Sequence, residues 1–171
     1  MSIKEELLLL RPLEKIKLID ELTLSLVVPS KEIVKAYPAL WYNGGWGVRN
    51  MRGKESLSVH ATGRAVDISW RNMGDGKRGA PKGGRKQAMA AMDYLVKHAD
   101  ALGIEMVIDY FPAPWGRAYR CDRGAWKKYE KSEVHGAPNG DWFHAEVDGK
   151  KSAPQIKEFF AANPPPAVTE A

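Results

Sequence analysis

In the stretch SLSVHATGRAVDIS, residues 56–69, an imidazole and a carboxylate stand seven residues apart around a glycine: His60, Gly63 and Asp67. A turn at Gly63 can bring both side chains to one point, because glycine enters the left-handed backbone region without steric cost. Imidazole nitrogen and carboxylate oxygen are both zinc ligands, so the pair is a plausible start of a metal site. The plainer alternative is a surface or hydrogen-bonded His and Asp in a loop. The single cysteine, Cys121, excludes an intramolecular disulfide and any multi-cysteine metal site. Metal chemistry here therefore falls to histidines and carboxylates, and Cys121 reads as a small buried or half-buried thiol.

A third ligand has to come from His98, His135 or His144. His98 lies beside the apolar stripe of a helix and reads as a helix-surface residue, and His135 lies in the loop EVHGAPNG. His144 belongs to WFHAEV, where Trp142, His144 and Glu146 alternate with Phe143, Ala145 and Val147 as in a strand. A titratable group among bulky apolar neighbours points to function. Its alternative is a core histidine satisfied by hydrogen bonds.

The elements that must position these residues follow from hydrophobic periodicity. Leu13, Ile16, Ile19, Leu22 and Leu26 recur at three- and four-residue spacing behind Pro12, predicting an amphipathic helix over 12–26. A second short helix is predicted from Ser30 as its N-cap to just before Pro38. WYNGGWGVRN reads as a loop leading into a strand. Ala88, Met92, Leu95, Ala99 and Leu102 form one stripe of a helix over 84–102, capped by Gly103, and IEMVIDYF, 104–111, reads as a strand. The segment from there to Gly140 reads as mostly loop. The expected fold is therefore α+β: a small, mostly antiparallel sheet flanked by helices. Residues 1–38 are expected as a helical segment packed on a core spanning 39–162, and 163–171 as a disordered tail.

With 44% hydrophobic residues in 171, the chain has enough apolar material for one buried core. The four-leucine run near the N-terminus follows two glutamates and lacks the cationic start of a secretory signal, so cytoplasmic synthesis without classical export is expected. No stretch reaches the roughly 20 apolar residues of a membrane-spanning helix. The net charge of +5 favours an anionic partner: nucleic acid, a membrane surface or a cell-wall polymer. No helix-turn-helix, RNA-recognition or zinc-finger pattern accompanies that charge, which argues against nucleic acid. The basic stretches at 71–86 and 117–131 read as solvated loops.

SVHATGRAVD, residues 58–67, fits the pattern Ser-x-His-x-x-Gly-x-Ala-x-Asp, and DWFH, 141–144, fits an acid-x-x-His downstream. In these motifs, and over residues 40–150, the chain resembles the zinc D-alanyl-D-alanine carboxypeptidase family. That family includes phage L-alanyl-D-glutamate endopeptidases and vancomycin-resistance dipeptidases, and shares its fold with the sonic hedgehog domain. The resemblance implies that His60, Asp67 and His144 hold one zinc ion and that Asp141 is the catalytic carboxylate. Such a set leaves a fourth position for water, whose pKa zinc lowers to about 7. The resemblance further implies that Ser58 helps bind substrate and that Arg49 faces the substrate or the developing oxyanion. Arg52 competes with Arg49, and Val48 stands where the family has tyrosine. Arg64 reads as solvent-facing.

On a regular strand, residues three apart point to opposite faces, so Asp141 must precede the strand that carries His144. Glu146 shares His144's face and rivals Asp141 as base or ligand. The expected function is a zinc-dependent peptidoglycan peptidase of the phage endolysin type. It would cut the stem peptide as a monomer, acting on the wall once a holin-like partner opens the membrane, with neither nucleic-acid binding nor stable membrane insertion. A D-alanyl-D-alanine carboxypeptidase or dipeptidase is the enzymatic alternative, and a zinc-bound interaction module the non-enzymatic one.

Overall fold

A computed structural model describes residues 27–45, 58–70, 83–131 and 136–168. The first described element is a helix over 27–36 (α1), followed by strand β1, Trp41–Gly44. A 3-10 turn, Val59–Thr62, leads into β2, Ala65–Ser69. Helices α2, Gly84–Lys97, and α3, Ala99–Leu102, precede β3, Ile104–Asp109. The hairpin strands β4, Arg117–Arg120, and β5, Ala125–Lys128, are followed by β6, Trp142–Val147, and α4, Ala153–Ala162.

Six strands form one sheet in the order β1-β2-β6-β3-β4-β5, and every neighbouring pair is antiparallel. The α+β architecture is thus the observed one. The last strand in sequence is inserted in the middle: β6 pairs with β2 on one side and β3 on the other. Because strand side chains alternate between faces, this insertion sorts the sheet into two surfaces. One face packs Val66, Ile68, Val107, Phe143 and Ala145 against Ala88, Ala91, Met92 and Leu95 of α2. The other carries Asp67, His144 and Glu146.

Several elements differ from the sequence reading. Ser30 lies inside α1, not at its cap, and its hydroxyl donates back to the Val27 carbonyl at 2.9 Å. The helix does end before Pro38. The long helix expected over 84–102 breaks at His98, whose ring packs 4.7 Å from Tyr94 and 5.2 Å from Phe159. Gly103 closes the second piece at φ 66°, the left-handed cap its position required. The segment expected to be loop up to Gly140 contains the β4–β5 hairpin. Residues 163–168 do not hang free: the Asn163 carbonyl accepts from Tyr94 Oη, and Val168 packs on the core. The helix expected over 12–26 lies outside the described residues.

Among the described residues, the helix face of the sheet holds one buried charge. Asp109 is fully buried at the end of β3, and each of its carboxylate oxygens takes 2.8 Å from a guanidinium nitrogen of Arg85 on α2. Arg117 adds a bond of 3.0 Å from Nε, and the Phe111 amide one of 3.2 Å. The guanidiniums themselves stack, Arg85 at 4.5 Å from the Phe111 ring and Arg117 at 4.4 Å from Trp126. Removing the acid strands two half-buried cations, so Asp109→Ala should lower stability by about 3–5 kcal/mol in urea denaturation. A loss under about 1 kcal/mol would show that water replaces the carboxylate.

Candidate metal centre

Each residue of the centre is aimed by a separate local device. The Ser58 hydroxyl accepts the His60 amide at 3.3 Å and caps the 3-10 turn that carries His60. Gly63, at φ 71°, ends that turn and sends the chain into β2. Four residues on, Asp67 lies directly opposite His144 in the β2–β6 register. Neither of the two strands makes the site alone. It forms when β6 docks beside β2.

His144 Nδ1 stands 2.9 Å from Asp67 Oδ1, and His60 Nε2 3.5 Å from Asp67 Oδ2. The two imidazole rings meet edge-on with centroids 4.9 Å apart. One ligand atom from each of the three residues lies within 4.8 Å of the others, and among the described residues this is the one such group. Ligands about 2.1 Å from a tetrahedral metal stand roughly 3.4 Å apart, so the set fits a zinc-sized ion with small adjustments.

The outer nitrogens of both rings are also engaged. His60 Nδ1 donates to the Gly45 carbonyl at 2.5 Å, which points Nε2 at Asp67. His144 Nε2 donates to Glu146 Oε1 at 3.0 Å, which turns Nδ1 inward. A ligating histidine whose other nitrogen is held by a carbonyl or carboxylate is the usual support of a metal site. Glu146, weighed from the sequence as a rival ligand or base, is thereby occupied in orienting His144.

Without a metal, His144 lies between two acceptors. Burial alone lowers its pKa, but hydrogen bonds to Asp67 and Glu146 and their charges outweigh burial and raise it from 6.5 to about 9. Burial raises the Asp67 pKa, yet its bonds to His144 and His60 prevail and hold it well below the usual carboxylate range. A proton thus occupies the His144–Asp67 contact at neutral pH, and a metal has to displace it. Zinc affinity should accordingly rise about tenfold per pH unit up to roughly pH 9, measured by chelator competition. Stability of the metal-free protein should run the other way: the His144 pKa is raised on folding, so its contribution is complete below 6.5 and lost as pH climbs to about 9. Affinity that stays flat across this window would mean that no proton is displaced from His144.

Of the other residues singled out by sequence, Asp141 sits in the bend immediately before β6, and its carbonyl accepts the Trp70 amide at 3.0 Å. Ser58 is buried beside His60. Arg49, Arg52 and His135 lie outside the described residues. Arg64 is not solvent-facing, because its guanidinium bonds Glu105 Oε2 and the Val147 carbonyl, both at 3.3 Å. Cys121 is exposed, not buried or half-buried, because it opens the turn between β4 and β5. Sequence reasoning missed the Gly45 carbonyl, since a backbone acceptor leaves no residue-type signal.

A family model described as VldE, C-terminal domain, matches residues 22–139, well over half of the chain. The chain belongs to the VldE C-terminal domain family. The VldE match takes in β1 to β5, with His60 and Asp67, and ends before Asp141 and His144. No curated protein and no solved structure matches this VldE-family chain. No helix among its described residues is long and apolar enough to cross a membrane.

Proposed function

We propose that this chain is a zinc-dependent peptidase that hydrolyses the stem peptide of peptidoglycan, as an endopeptidase of the phage endolysin type cutting L-alanyl-D-glutamate or a related bond. The observation that carries the reading is the convergence of His60, Asp67 and His144, each imidazole held from behind by an acceptor. Bound there, zinc would supply a Lewis acid for the scissile carbonyl and a water of lowered pKa.

The remaining roles belong to the chain. Two nitrogens and one oxygen would supply three ligands to zinc, one fewer than a closed structural site uses, so that a water could serve as the fourth. Asp141 takes the proton of the attacking water and returns it to the leaving amine. Glu146 and the Gly45 carbonyl keep the rings in register. Arg49 pairs with the developing oxyanion and Ser58 with the substrate. The enzyme reaches its polymer once a holin-like partner has opened the membrane.

Digestion of purified peptidoglycan by the zinc-loaded protein, with new termini identified by mass spectrometry, tests this reading. Free L-alanine carboxyl and D-glutamate amino termini are expected. Release of terminal D-alanine alone would make it a carboxypeptidase. Absence of new termini would leave a zinc-bound interaction module.

A further inference from the structure

The sheet face that carries the metal centre continues past it. Ile108 of β3 is the cross-strand partner of both His144 and Ala118, and Met106 that of both Glu146 and Arg120. Met106 and Ala118 form the floor of a groove of about 320 Å³ over β3 to β5. Around it stand Arg120, Arg123, Lys127 and Lys131, with the acid Glu130 in the lining and Asp122 paired to Arg120. Two of these cations are held in place. Arg120 is bound by Asp122 at 3.1 and 3.0 Å, and Arg123 by the carbonyls of Ala118 at 2.9 Å and Ala125 at 3.1 Å. Lys127 and Lys131 have no ion pair among the described residues.

Arg123, Lys127 and Lys131 outnumber the one lining acid, Glu130, and repel each other, and an anionic occupant relieves that repulsion. Adjacent strands lie about 4.8 Å apart, so β4 runs roughly 10 Å from β6 and His144, about three residues of extended peptide. Nucleic-acid affinity grows with the number of phosphates neutralised along the backbone, whereas this groove spans a single hairpin.

We propose that this groove is a substrate subsite for an acidic peptide segment, binding free carboxylates about three residues from the bond cleaved at the metal centre. The inference rests on the peptidase reading for its place in catalysis, but its binding chemistry stands apart from it.

The test uses the zinc-loaded full chain, a triglutamate peptide as probe, and a Lys127→Gln/Lys131→Gln double variant. Triglutamate should shift backbone amide resonances of β4 and β5, and the variant should weaken its binding about tenfold. The shifts should persist in His60→Ala, which separates the groove from chelation of zinc by the probe. On stem-peptide substrates, the preference in kcat/KM for free over amidated carboxylates should fall about tenfold in the variant. Triglutamate binding unaffected by the variant, or confined to zinc-loaded protein, would overturn the inference, as would tighter binding of a single-stranded oligonucleotide of equal charge. Binding in the groove without hydrolysis of any peptide would sink the peptidase reading and leave the acidic-peptide site standing.

Discussion

Replacing His60 or His144 with alanine is expected to abolish stoichiometric zinc binding and, with it, hydrolysis. Changes to groups behind a ligand typically cost 10- to 100-fold in metal affinity, so loss of a ligand itself should exceed about 100-fold. Zinc per chain after dialysis against a weak chelator should drop from about one to a small fraction. The fold should survive, because neither imidazole belongs to the apolar cluster that joins α2 to the sheet. Far-UV circular dichroism checks that separately. If the two were merely core histidines satisfied by hydrogen bonds, the same substitutions would cost stability and leave metal content unaltered.

The second large effect concerns Asp141. In the proposed role of general base Asp141 is no ligand, so under this reading Asp141→Asn should keep the fold and one zinc per chain while turnover falls by about 100- to 10,000-fold. Glu146→Gln should behave differently. Its amide oxygen can still accept from His144 Nε2, so the variant should bind zinc up to about 100-fold more weakly yet recover most of its turnover at saturating zinc. Isothermal titration and single-turnover hydrolysis, run on both variants, separate the roles. Should Glu146→Gln be inactive at full zinc occupancy and Asp141→Asn active, the base is Glu146. Should Asp141→Asn lose the metal, Asp141 is a ligand or supports one.

Much of the frame is legible in the sequence. The apolar stripe from Ala88 to Leu102, the glycine at 103 and the alternation in WFHAEV each reflect a local rule, and local rules survive packing. The turn at Gly63 is of the same kind, and so is the position of Asp141 ahead of β6. What lies beyond them is set by pairing. That β6 enters between β2 and β3, placing His144 across from Asp67, is a property of sheet order with no signature in either strand. The β4–β5 hairpin was hidden for another reason. Tyr119 and Trp126 supply only one large apolar side chain per strand on the packed face, and the flanking Arg and Lys residues resemble a solvated loop. Ser30 has the side chain of an N-cap but spends it on Val27, a choice between two local bonds that composition does not decide. Glu146 was visible as a neighbour of His144 on one strand face; its bond to Nε2, which turns Nδ1 towards Asp67, depends on rotamers.

The proposed hydrolysis by a zinc ion on His60, Asp67 and His144 is tested most directly by adding zinc stepwise to metal-free protein and following, in the same samples, metal bound per chain and new amino termini released from purified peptidoglycan. The rate should rise in proportion to occupancy and level off at one zinc per chain. Full hydrolysis by metal-free protein, or no new termini at full occupancy, would contradict it.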